Sequence, residues 1–129
     1  MNELVKGLND SAKKIHEDNK SKGFWANGQS GQNVGELLML IVSELGEAME
    51  AHRKSNFTNM SEFETGLDAF SNFSSSFQAH VKDTFEDEIA DSVIRLLDLS
   101  AGLEIDLERH INLKVAYNLS RPQLHGKCY

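Results

Sequence analysis

The chain holds a single cysteine, Cys128, so no intrachain disulfide is possible, and nothing places a base beside that thiol to make it a nucleophile. Proline is equally scarce: Pro122 stands alone, which leaves nearly the whole length open to uninterrupted helix. Positive charge is in deficit, with 13 Lys and Arg against 20 Asp and Glu. The resulting net charge of −7 argues against a broad nucleic-acid or anionic-membrane surface, since both need basic faces. Long apolar runs are missing too. No stretch approaches the roughly 18 residues of a membrane span, and Met1 to Lys6 lack the apolar core of a signal peptide. The expectation is a soluble, cytoplasmic protein with no membrane or nucleic-acid partner. No Glu-x-x-His pair occurs, and His16, His52, His80, His110 and His125 show no metal-site spacing, which weakens a di-iron carboxylate bundle. A length of 129 residues suits one domain with a modest core.

What is present is helical periodicity, and it predicts an all-α fold. Leu4, Val5, Leu8, Ala12 and Ile15 align along one side of a first helix, about Asn2 to Asn19. Four glycines, Gly23, Gly28, Gly31 and Gly35, mark Lys20 to Gly35 as a loop that nonetheless carries Phe24 and the sole tryptophan, Trp25. A second helix, about Val34 to Lys54, is expected to bury Leu37, Leu38, Leu40, Ile41, Val42, Leu45 and Met49. Ser61 and Glu64 form a capping-box pattern ahead of Phe63, Leu67, Phe70 and Phe77, which predicts one helix, kinked or ended near Ser74. Asp83 and Glu86 repeat the pattern before a helix through about Ala101, stopped by Gly102. A last helix starts after Asp106 as N-cap and ends before Pro122; a polar tail, Gln123 to Tyr129, follows.

Two acidic pairs lie inside the most apolar of these helices: Glu44-x-x-Glu47 and Glu88-x-x-Asp91. A spacing of three puts both members of a pair on one helix face. Such pairs are commonplace on solvated faces, and either one alone carries little. Here the helices offer narrow polar faces, and two antiparallel helices would aim all four acids at one spot. Acids so gathered repel one another and lose hydration unless a cation neutralises them. Oxygen-only ligands suit Mg²⁺ or Mn²⁺, and Mg²⁺ commonly recruits phosphates.

Taken in order, Ser43-Glu44-Leu45-Gly46-Glu47-Ala48, Glu88-Ile89-Ala90-Asp91, Lys114-x-x-Tyr117-Asn118-x-x-Arg121-Pro122 and Gly126-Lys127 resemble the MazG-type all-α nucleoside triphosphate pyrophosphohydrolases, over most of the chain from about Gly23 to Lys127. The resemblance implies a four- to five-helix bundle assembled as a homodimer or homotetramer, cleaving a nucleoside triphosphate to the monophosphate and pyrophosphate in nucleotide-pool house-cleaning. It also implies that Glu44, Glu47, Glu88 and Asp91 hold Mg²⁺, with Mn²⁺ an alternative, and that Lys114, Asn118 and Arg121 contact phosphates. Lys127 would add a charge from the tail. Phe24 and Trp25 either close over a nucleobase or plug the core beneath the loop.

The chain departs from that family pattern twice. Ser43 stands where the family commonly has a second glutamate, removing one acid from the site. The 41 positions from Glu47 to Glu88 exceed the usual separation, so a Phe- and Ser-rich segment, about residues 55–82, reads as an insertion. A site degenerated in this way supports the competing reading: a non-catalytic, oligomeric helical bundle that binds nucleotides or a protein partner.

Overall fold

The structure, a computed structural model, describes residues 3–70 and 72–123. Among them it is all helical, with six α-helices and no strand: α1 (Leu8–Ser21), α2 (Val34–Arg53), α3 (Met60–Phe70), α4 (Phe73–His80), α5 (Phe85–Gly102) and α6 (Leu107–Leu119). Six exceed the four or five expected, because the Phe-rich segment divides into two. No helix is long and apolar enough to cross a membrane. The residues group into two compact units: Asn33–Leu96, and the described parts of Met1–Gln32 and Leu97–Tyr129.

In the latter unit, the helix expected from about Asn2 begins only at Leu8, because Leu4 and Val5 are drawn off as a strap. Both backbone N–H groups donate to Oδ1 of buried Asn112 on α6, at 3.0 and 2.9 Å, and its Nδ2 donates to the Val5 carbonyl at 2.9 Å. The starts of α1 and α6 then cap each other. Glu108 Oε2 accepts the Leu8 N–H at 2.8 Å, and Asn9 Oδ1 accepts the Glu108 N–H at 3.1 Å. A carboxylate on the first turn of α1 also meets the positive end of the helix dipole. Asp106 N-caps α6, as its position predicts, by accepting the Arg109 N–H at 3.1 Å.

In the unit Asn33–Leu96, α2 and α5 run antiparallel, as the pairing of Glu44 with Arg95 and of His52 with Phe85 requires. The buried stripe of α2 is Ile41, Glu44, Ala48 and Ala51, spaced by three and four. This corrects the expected apolar arc: Ile41 is buried, whereas Leu38, Leu40, Val42, Leu45 and Met49 remain exposed. Small and acidic side chains take the inward stripe instead.

Between these helices, α3 begins behind Asn59, whose Oδ1 accepts the Glu62 N–H at 3.1 Å, so Asn59 and not Ser61 is the cap. The expected break falls ahead of Ser74. Asn72 caps α4 through the Ser75 N–H at 3.2 Å, which places the serine run inside α4. Ser76 donates to the Phe63 carbonyl at 2.7 Å, and a Cβ at Gly66 would fall 2.4 Å from its Oγ, so the helix-weakening residues are those that let α3 and α4 approach. The N-cap of α5 is likewise shifted by one: Thr84 Oγ1 accepts the Asp87 N–H at 3.4 Å, while Asp83 sits at φ 61°.

Candidate metal centre

The Glu44-x-x-Glu47 pair projects from the middle of α2 because 44 falls in register with Ile41, Ala48 and Ala51 on the inward stripe. Glu88 occupies the first turn of α5, in register with buried Ser92. Antiparallel packing therefore brings one acid of each pair face to face. Carboxylate oxygens of Glu44, Glu88 and Asp91 all lie within 4.8 Å of one another. Glu44 and Glu88 are 9% and 5% exposed, and Asp91 lies at the exposed edge. Glu47 is not part of that trio; it hydrogen-bonds Glu44 from the solvent side.

The electrostatics follow from the crowding. Burial pushes the Glu88 carboxyl up to about 7, and the hydrogen bond with Glu44 and the charges of Glu47, Glu44 and Asp91 act in the same direction. Burial also raises Asp91, with Asp87 and Glu44 adding repulsion. Glu47 is raised by sharing a hydrogen bond with Glu44. Glu44 moves the other way: burial opposes its ionisation, but hydrogen bonds from Arg95, Glu47 and Glu88 and the charge of Arg95 outweigh it and hold the carboxyl below its ordinary value. Arg95 Nε donates to Glu44 Oε1 at 2.7 Å. Of the four carboxyls, Glu44 is thus the one held below its ordinary value, while Glu88 keeps its proton to about 7.

A second acidic group adjoins the first through a shared residue: Asp83, Asp87 and Glu88 also bring carboxylate oxygens within 4.8 Å of each other. A cleft of about 430 Å³, lined by Glu47, Glu50, Lys54, Asn56, Asp83 and Glu88, opens beside them. Its walls are fixed by cross-links between the segment after α2 and the start of α5. Asn56 Nδ2 donates to the Asp83 carbonyl at 2.8 Å, Phe85 N–H donates to the Asn56 carbonyl at 2.9 Å, and His52, Phe57 and Phe85 pack edge to face.

Arg95, Asp83, Asp87 and Lys54 were not singled out by sequence as site residues. Arg95 had a readable signal, since it follows Asp91 by four on the same face; Asp83 and Asp87 were legible only as helix-start acids. The remaining expected residues lie in the other unit. On α6, Lys114 Nζ and the Arg121 guanidinium sit over the Tyr117 ring, 5.2 and 5.6 Å from its centroid, with Asn118 beside them. Trp25 is 9% exposed and packs against Gly102, its Nε1 donates to Asp98 Oδ2 at 3.1 Å, and His16 Nδ1 lies 2.7 Å from Asp98 Oδ1. The core-plug reading describes that contact, although the ring also borders a 510 Å³ cavity with His16, Lys13 and Gln29; Phe24 is exposed. Lys127, Cys128 and His125 lie outside the described residues.

The chain matches no family model, no curated protein and no solved structure.

Proposed function

We propose that this chain is a divalent-cation-dependent nucleoside triphosphate pyrophosphohydrolase, with Glu44, Glu88 and Asp91 as the inner ligands of Mg²⁺ or Mn²⁺ and Glu47 completing the set. The observation that carries the reading is the convergence of three carboxylates within 4.8 Å on two facing helices. The donor set fits the ion: every ligand is a hard oxygen, and the cluster's mutual repulsion, which Arg95 offsets at Glu44 and in part at Asp91, is what a divalent charge relieves. When bound, such an ion supplies neutralisation of phosphate charge and a more acidic water.

The chain's own residues supply the rest. Glu47, exposed on the cleft wall and made more basic than an ordinary glutamate by its neighbour Glu44, accepts the proton of the attacking water in this reading. Water adds to the α-phosphorus, the bond to the bridging oxygen breaks, and pyrophosphate leaves. Lys114, Asn118, Arg121 and Lys127 provide phosphate contacts in this reading, and Trp25 provides a flat apolar surface for the base. The reading extends to a homodimer or homotetramer engaged in nucleotide-pool house-cleaning.

The test is a panel of ribo- and deoxynucleoside triphosphates with Mg²⁺, assayed for pyrophosphate. Release by the natural chain, abolished in Glu47→Gln and Asp91→Asn with helix content intact by circular dichroism, supports the proposal. Full activity in both variants removes the metal assignment. A nucleotide that binds without turnover transfers the case to the non-catalytic binder.

A further inference from the structure

We infer that Arg95 is a phosphate-contacting residue of the acidic site; the inference rests on the metal-and-polyphosphate reading above. Residues 88, 91 and 95 share one face of α5, so Arg95 continues the line of candidate ligands by one helical turn. Its Nε is spent on Glu44 Oε1 at 2.7 Å, which fixes the guanidinium at the rim of the carboxylate trio. Four N–H donors remain on its two terminal nitrogens. The side chain is 43% exposed, so these donors are not locked into the core.

Two physical arguments separate this role from a structural ion pair. Only one end of the pair is closed to water, with Glu44 12% and Arg95 43% exposed, so the contact holds Glu44 ionised while leaving much of the arginine side chain accessible to a ligand. In addition, a guanidinium touching a metal ligand repels the incoming ion, so its presence is unfavourable for a site that holds a cation alone. That repulsion turns to advantage when the complete ligand is a cation carrying a polyanion. The planar fork of arginine matches phosphate oxygens in two parallel hydrogen bonds, which a point-charge ammonium does not reproduce.

The experiment measures two affinities on the full chain: Mn²⁺ by electron paramagnetic resonance, and inorganic pyrophosphate by calorimetry on the Mn²⁺-loaded protein. Arg95→Gln should hold or tighten Mn²⁺ binding while weakening pyrophosphate about tenfold or more, and Arg95→Lys should fall between Arg95→Gln and the natural chain. Pyrophosphate affinity unchanged in Arg95→Gln overturns the inference and leaves the metal centre standing. So does a loss of Mn²⁺ affinity that runs parallel to the loss of pyrophosphate, since Arg95 would then serve only to orient Glu44. A natural chain that takes up no Mn²⁺ sinks both the metal centre and this role.

Discussion

Glu88 concentrates the tension of the site in one side chain. Its carboxyl titrates at about 7 in the folded chain against an ordinary 4.5, so the folded state keeps a proton that the unfolded chain has already released. The stability tied to that proton is complete below 4.5 and is lost as the pH rises towards 7. The metal-free protein should therefore melt at progressively lower temperature across this interval, a slope that Glu88→Gln should flatten while raising the melting temperature at pH 8 by a few degrees. An unchanged slope in the variant would show that Glu88 is not the titrating group. The same proton must leave before a cation can bind, so Mn²⁺ affinity should weaken by about tenfold per pH unit below 7, measured by resonance titration. Asn112 poses the opposite case, a buried polar group fully used. Truncation in Asn112→Ala strands the Leu4 and Val5 N–H groups and the Val5 carbonyl, which should cost roughly 2–3 kcal/mol in thermal denaturation.

At the scale of elements, the end of α5 depends on a missing side chain. A Cβ on Gly102 would fall 2.4, 2.6 and 2.8 Å from three atoms of the Trp25 ring. An indole cannot yield as a flexible side chain does, so Gly102→Ala should displace it, break its bond to Asp98 and destabilise by about 1–3 kcal/mol. With one tryptophan in the chain, a shift of its fluorescence to longer wavelength reads this directly, and an unshifted spectrum would refute the contact. Gly102 was legible in the sequence as a helix stop, but not as the seat of Trp25, because nothing local in a sequence says which distant ring will approach. The same limit explains the other differences. Val34–Arg53 and Leu107–Leu119 follow period and capping residues almost to the residue, since those signals act within one turn. The start of α1 lies beyond such local signals, because Leu4 and Val5 answer to Asn112, more than 100 positions away. The acids of 44, 88 and 91 could be aligned from spacing alone, whereas Arg95 as their partner needed the two helices side by side.

For the whole molecule, the decisive feature is what the helices of the acidic unit leave uncovered. Leu38, Val42, Leu45 and Met49 recur at four, three and four along α2, and Ile89 and Val93 at four along α5, all exposed; Val42 and Val93 are 53% and 47% open. Patterned apolar faces of this kind differ from the scattered apolar residues of an ordinary surface, because their burial on association adds together at about 25 cal/mol per Å². The inward stripe of α2 is acidic and small at Glu44, Ala48 and Ala51, so the large apolar side chains have no place in the chain's own core. A second copy of the chain is the partner that the proposed homo-oligomer supplies. Sedimentation at micromolar concentration should then give a dimer or tetramer for the natural chain. Val42→Glu with Val93→Glu should shift it to monomer, because a carboxylate buried in an apolar interface is penalised by several kcal/mol. If the double variant retains the natural assembly, these faces are not the interface; if the natural chain sediments as a monomer, the proposed homo-oligomer fails.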